Sequence, residues 1–186
     1  MQKIVIISPS IRKGRYSHRV ALYFAKLIRD TNIADAEILD LLKYNFPLFH
    51  ERLKYQGSPS PEAVDFSEKI RSSDGVIIIT PEYNGAPPAS LKNAVDLLTD
   101  EWRKKPVAFV TVSDGDFGGT QSIISLQFSF WKLGAITVPA TMRLPNINIT
   151  FDENGLPVEK EKVDKRGFSF LKKLLWHIEA KNKMAE

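Results

Sequence analysis

Three short segments of this 186-residue chain carry the side chains with chemistry to offer. The first, Ser8-Pro9-Ser10-Ile11-Arg12-Lys13-Gly14-Arg15-Tyr16-Ser17, interleaves hydroxyls with cations and runs straight into an amphipathic stretch. Arg12 or Arg15 can fork onto phosphate oxygens, Ser10 and Ser17 can donate hydroxyl hydrogen bonds, and the free N–H groups of a helix start favour an anion. The second, Pro81-Glu82-Tyr83-Asn84-Gly85, offers an aromatic surface at Tyr83 and a paired donor and acceptor at Asn84. The third runs from Ser113 to Thr120, and its glycines Gly115, Gly118 and Gly119 let backbone approach a flat ligand and present N–H groups to carbonyl oxygens. Together these residue types recognise a phosphate and a flat polar ring. The first segment holds neither GxGxxG nor GxxxxGK[ST], so an ordinary dinucleotide or P-loop triphosphate site is not indicated.

The elements that must position these segments alternate along the chain. Ile4–Ile7 reads as strand one and Ser17–Arg29 as helix one, with Val20, Phe24, Leu27 and Ile28 on its apolar side. Ala36–Leu42 is strand two. A polar loop through Gln56-Gly57-Ser58-Pro59-Ser60-Pro61 then leads to a helix over Glu62–Ser72. Val76–Thr80 is β-branched without alternation, as a strand buried on both faces requires, and Pro81 stops it by removing an N–H. A helix begins near Pro88, with Leu91, Ala94, Val95 and Leu98 along one face. Val107–Val112 is strand four, Thr120–Leu133 a helix, and Ala135–Val138 strand five; a long irregular segment follows, then a last helix over Val163–Lys181. Strands alternating with helices predict a three-layer α/β sandwich: one domain over residues 1–186, with a five-stranded parallel sheet in the flavodoxin-like order 2-1-3-4-5 and helices on both faces. In that order the loops after strands one, three and four lie side by side at one end of the sheet, where open α/β sheets bind ligands.

Composition narrows the classes. With 43% apolar residues the chain can build a real core, and no apolar run approaches the roughly 20 residues of a membrane helix. The first such run is cut by Ser8-Pro9-Ser10 before it could serve as a signal-peptide core, so a cytoplasmic protein without membrane attachment is expected. The absence of cysteine rules out disulfides, thiolate catalysis and Cys-based metal sites, and fits a reducing compartment. The net charge of +4 is spread among acids rather than gathered in a stripe, which fits anionic small molecules and not nucleic acid. His18, His50 and His177 are dispersed and read as surface or capping residues, while Trp131 and Trp176 read as core or interface anchors.

One loop for a phosphate and two for a polar ring describe a mononucleotide such as FMN. At this point the chain resembles the NAD(P)H-dependent FMN reductases of flavodoxin-like fold, a family that includes quinone, chromate and azo-dye reductases. The resemblance rests on Ser10-x-Arg12-x-Gly14-Arg15-x-Ser17, on Pro81-Glu82-Tyr83-Asn84 with Leu91-Lys92-Asn93-Ala94-x-Asp96, and on Ser113-x-Gly115-x-Phe117-Gly118-Gly119. Leu133-Gly134-Ala135 and Val138-Pro139 continue it. The chain departs from the family pattern at Pro9, Leu97 and Thr120-Gln121.

The resemblance implies an FMN-dependent oxidoreductase drawing hydride from NADPH or NADH and passing electrons to a small-molecule acceptor such as a flavin or quinone. It implies that Ser10, Arg12, Arg15 and Ser17 hold the FMN phosphate, that Pro81, Glu82, Tyr83, Asn84 and Gly85 line the ribityl chain and ring, and that Ser113, Gly115, Gly118 and Gly119 close the other side. No side chain is required as a catalyst, because the flavin carries the chemistry. It further implies a homodimer or homotetramer, with Leu91, Val95, Leu98, Trp102, Phe128 and Trp131 as the candidate contacts. Two other readings use the same fold: a flavodoxin-like electron carrier and a non-catalytic FMN-binding module. Carriers usually display an acidic docking face, against which the basic balance of this chain speaks.

Overall fold

The computed structural model describes residues 1–184. The three uninterrupted apolar runs form the middle of the sheet, β1 (Lys3–Ser8), β3 (Gly75–Pro81) and β4 (Pro106–Val112), each buried almost throughout. The flanking strands β2 (Asp35–Asp40) and β5 (Ile136–Leu144) alternate between covered and open positions, as edge strands do. All pairings are parallel and the order is β2-β1-β3-β4-β5, as expected from the sequence.

Two helical layers cover the sheet. On one face α1 (Tyr16–Thr31) and α7 (Lys160–Lys183) pack Val20, Phe24, Phe170 and Leu174 onto Ile4, Ile6, Ile77 and Val110. On the other, α3 (Pro61–Ser72), α4 (Ala89–Leu97) and α5 (Thr120–Lys132) pack Phe66, Leu91 and Phe130 onto Val5, Ile7, Ile78 and Phe109. Alternate residues of one strand thus feed opposite cores. Two single-turn helices, α2 (Leu41–Tyr44) after β2 and α6 (Ile147–Thr150) after β5, and two 3-10 turns, Leu53–Tyr55 and Asp100–Trp102, complete the described elements.

Three expectations change. Strand five does not stop at Val138 but runs to Leu144, because β5 is an edge strand where Pro139 need not donate. The irregularity is absorbed between Val107 and Phe109, where pairing jumps from Thr137 to Thr141. Leu91, Val95, Leu98 and Trp102 are no interface residues: each is at most 2% exposed, and Trp102 sits edge-on to Phe130 with its indole N–H donating to Val95 O at 3.1 Å. Of the core and interface roles read for Trp131 and Trp176, the core is excluded, at 65% and 64% exposure.

The segment after β5 is also more ordered than its sequence indicates. Phe151 and Pro157 pair as a bridge, and Asp152 Oδ1 accepts from Asn154 N and Leu156 N. Gly155, at φ +78°, lies so close to α1 that a Cβ there would stand 2.4 Å from the Arg19 carbonyl oxygen.

Candidate functional site

At the carboxyl ends of β1, β3 and β4 a cleft of about 570 Å³ opens between the three loops singled out above. Its lining includes Ser10, Arg12, Arg15, Ser17, Pro81, Glu82, Tyr83, Ser113 and Gly115. Asn84, Gly85, Gly118 and Gly119 are not part of the lining, and Asn84 and Gly85 lie in an exposed turn.

The loop after β1 enters α1 without a side-chain cap and without an acid in the first turn. Uncapped N–H groups at the start of a 16-residue helix face the cleft with the positive end of its dipole. Ser17, in that first turn, is 2% exposed, and its Oγ has no hydrogen-bond partner. Such a hydroxyl costs about 1–3 kcal/mol unless something accepts its hydrogen bond, so its position in the cleft wall is evidence for a ligand oxygen there. Arg12 and Lys13 add exposed cations, with the Arg12 guanidinium 5.3 Å from the centre of the Tyr83 ring.

Arg15 is already engaged. It forks onto Asp40, with Nη1 on Oδ1 and Nη2 on Oδ2 at 2.6 Å, and Nη1 also donates to Ser10 O at 2.9 Å. Burial pushes the Asp40 carboxyl up, but the Arg15 fork and the Leu42 N–H outweigh it and hold the pKa below the ordinary carboxylate value. The pair pins the loop to the end of β2, so Arg15 shapes the cradle from behind. His18 is half-buried next to this pair, its Nδ1 3.0 Å from the Ser8 hydroxyl. Burial, then the Arg15 charge, lower its pKa, with Asp40 opposing and Lys43 adding to the depression.

Beyond Pro81 the chain makes a two-residue turn, Tyr83 and Ala86 exchanging backbone bonds of 2.7 and 3.1 Å across Asn84 (φ 53°) and Gly85 (φ 78°). Positive φ at both central positions is what an Asn-Gly pair tolerates, so these two residues aim Tyr83 rather than line the cleft. The Tyr83 hydroxyl lies 2.7 Å from Ser10 Oγ. Glu82 Oε2 accepts from Gln121 N at 2.8 Å and Ser122 N at 3.3 Å, which caps α5 from the end of β3. Ser90 Oγ, in the first turn of α4, donates to Pro9 O at 2.6 Å.

In the third loop Ser113 N donates to Leu144 O at 3.2 Å and Ile147 N donates to Ser113 O at 3.1 Å, fastening the loop to the end of β5. Gly118 and Gly119 serve close packing: Cβ atoms there would meet Arg143 Cβ at 2.9 Å and Thr111 Cβ at 3.0 Å, and both residues have positive φ. The lining also contains Lys13, Gly14, Tyr16, Val112, Asp114 and Ile147, which the sequence reading did not assign. Most neighbour assigned residues in the chain, so adjacency was the available signal. Ile147 had none, because its segment read as irregular.

The donor set fits FMN. An orphan buried hydroxyl, an uncapped helix start and two free cations suit a phosphate monoester, while Tyr83 and the Ser113–Gly115 backbone flank room for a ring.

Sheet order and cleft position define a flavodoxin-like α/β protein with its anion cradle at the switch between β1 and β3. Residues 2–148 match the sequence profile described as NADPH-dependent FMN reductase, and the chain belongs to that family. A quinone reductase of Pseudomonas putida is 34% identical over 122 residues, 62% of this chain and 62% of that protein, so the match spans under two thirds of that relative. An NADPH azoreductase of a Bacillus species is 30% identical over 158 residues, 82% of each chain. Among solved structures, the flavoenzyme NAD(P)H:(acceptor) oxidoreductase FerB of Paracoccus denitrificans superposes with a TM-score of 0.76 at 20% identity, covering 95% of this chain and 97% of that one, a likeness of fold.

Proposed function

We propose that this chain binds FMN in the cleft, oxidises NAD(P)H, and delivers electrons to a flavin, quinone or similar flat acceptor. Bound FMN supplies the hydride-accepting and electron-donating chemistry. The observation that carries the reading is Ser17: a buried, unpartnered hydroxyl in the wall of a cationic cleft at an uncapped helix start.

The protein's part is placement. Ser17, the first N–H groups of α1 and the Arg12 guanidinium hold the phosphate, and the Ser10 hydroxyl stands beside them while locking Tyr83. The Arg15–Asp40 fork keeps the loop at the end of β2. Tyr83 would present its ring to one side of the isoalloxazine, and the Gly115 N–H would be offered on the other, the Ser113 backbone being engaged with Leu144 and Ile147. Glu82 and the two glycines Gly118 and Gly119 act indirectly, by setting where α5 and the third loop sit.

A homodimer would form through α5, where Ile124, Phe128 and Trp131 are 63–65% exposed at i, i+4 and i+7, a continuous apolar stripe. A homotetramer would need a second surface, and Trp176 on α7 is the large exposed aromatic on the opposite layer. Among the described residues no helix is long and apolar enough to cross a membrane, which supports a cytoplasmic protein as far as helical spans are concerned.

The test is anaerobic addition of NADPH to the purified, FMN-reconstituted protein. Rapid loss of the oxidised-flavin absorbance, restored by a quinone, supports the oxidoreductase. Stable flavin colour would identify a carrier or binding module, and no uptake of FMN would reject all three readings.

A further inference from the structure

An aromatic ring and a free guanidinium are joined at the outer rim of the third loop. Phe117 is 87% exposed at the loop tip. Its carbonyl accepts from Thr120 Oγ1 at 2.7 Å, and the same hydroxyl accepts from Arg143 Nη1 at 3.5 Å. Arg143 projects from the open edge of β5 on the α5 side of the sheet. Arg166, from α7 on the other side, reaches round that edge and donates to Arg143 O at 2.7 Å. Neither guanidinium forms an ion pair among the described residues. The nearby Asp116 is occupied by Asn146 Nδ2 at 3.0 Å. The loop carrying Phe117 also supplies Ser113, Asp114 and Gly115 to the cleft wall.

The geometry points to Phe117 and Arg143 as the docking point for the adenosine 2′-phosphate half of the nicotinamide cofactor, with Arg143 the residue that favours NADPH over NADH. This rests on the oxidoreductase reading. A nicotinamide entering the cleft leaves its adenosine outside, and the rim must then offer an adenine face and a phosphate a partner. An exposed phenyl ring supplies the first, and an unpaired planar guanidinium supplies the second by bidentate hydrogen bonding. The cations on the α1 side of the cleft are committed to the flavin phosphate or to Asp40, so Arg143 and Arg166 provide positive charge on the opposite rim. The bland alternative is that both cations merely guard the open β5 edge against strand pairing.

Calorimetric titration of the FMN-loaded protein with 2′,5′-ADP and with 5′-ADP separates the two. The 2′-phosphorylated nucleotide should bind more tightly to the wild type. Arg143→Ala should weaken its binding by about tenfold to a hundredfold, the range for a charged hydrogen bond, and affect 5′-ADP far less. Arg143→Lys should recover part of the loss, and Phe117→Ala should weaken both nucleotides alike. FMN affinity, read by quenching of flavin fluorescence, should not move in any variant. Binding of 2′,5′-ADP to Arg143→Ala at wild-type strength, or equal loss of both nucleotides, overturns the assignment. Loss confined to 2′,5′-ADP upholds it even where NADPH fails to bleach the flavin, a result that would count against the oxidoreductase reading alone.

Discussion

Ser10 Oγ and Tyr83 OH lie 2.7 Å apart, and this contact ties the loop after β1 to the loop after β3 across the switch point of the sheet. Removing it should loosen the cradle without unfolding it. Tyr83→Phe keeps the ring and deletes the bond, so FMN affinity should fall by about twofold to tenfold, the equivalent of one net hydrogen bond. Fluorescence titration with FMN measures this. Unchanged affinity would mean that the two loops are held adequately by Ser90 and Pro9.

Ser17→Ala should separate stability from binding. In the apo protein the substitution removes an unsatisfied buried hydroxyl, so the midpoint of urea unfolding should stay level or rise. FMN affinity should nevertheless drop by about tenfold, since a hydrogen bond to a charged phosphate is worth roughly 1.5–3 kcal/mol. A fall in apo stability would show that the hydroxyl already has a partner.

The Arg15–Asp40 fork should leave a signature in acid. The Asp40 pKa is lower in the folded chain than in the unfolded one, so its contribution is present above the unfolded value of 3.8 and is lost as pH falls through the folded value. His18 acts in a different window: its folded pKa lies below 6.5, so the unfolded state binds more protons there and stability should decline as pH drops below 6.5. Urea unfolding at stepped pH should show both declines. Asp40→Asn should shrink the lower one, to which Asp65 and Glu101 also contribute, and His18→Gln should remove the upper. Asp40→Asn should also cost about 3–5 kcal/mol at neutral pH, at the low end because Arg15 keeps some solvent.

Two glycines with positive φ should respond differently to alanine. Gly14 (φ +65°) has open space where a Cβ would stand, so Gly14→Ala should cost only the left-handed strain, about 1–2 kcal/mol. Gly155→Ala adds a collision with the α1 backbone at Arg19 and Tyr23, and should lower the melting temperature clearly further. Equal shifts would indicate that the Phe151–Pro157 loop can lift off α1 without loss.

Trp131→Glu should keep the homodimer proposed through α5 from forming, leaving a monomer in sedimentation velocity while the wild type sediments as a dimer, and should preserve the far-ultraviolet spectrum. The side chain is 65% exposed in the single chain and meets Phe128 and Lys132 of its own helix, so a charge there disturbs little of the core. An unaltered sedimentation coefficient would move the interface elsewhere.

The sheet was legible in the sequence because its central strands are unbroken β-branched runs, and the helices because their apolar residues recur on one face. Strand five was truncated at Val138 since Pro139 reads as a stop, and only its place on the sheet edge makes the proline harmless. Sequence also located the three loops of the site, yet it assigned Arg15 and Glu82 directly to the ligand. Their partners, Asp40 at the end of β2 and the Gln121 and Ser122 amides, lie 25, 39 and 40 residues away along the chain. Pairings of that kind arise from strand order and leave no local pattern. Trp102 failed for a related reason: periodicity identifies an apolar face without saying whether the chain's own core or a second copy covers it.

The bonds that hold the cleft open run between protein atoms: Ser10 with Tyr83, Ser90 with Pro9, Glu82 with Gln121, and Ser113 with Ile147. A receptor wired in this way is rigid before its guest arrives. Uptake of FMN by the apo protein should therefore follow a single concentration-dependent phase, with no slow rearrangement after encounter. Flavin lifetime on the protein would then be set by the dissociation rate of the phosphate alone, which makes Ser17 and Arg12 the dial between a resident prosthetic group and a visiting substrate.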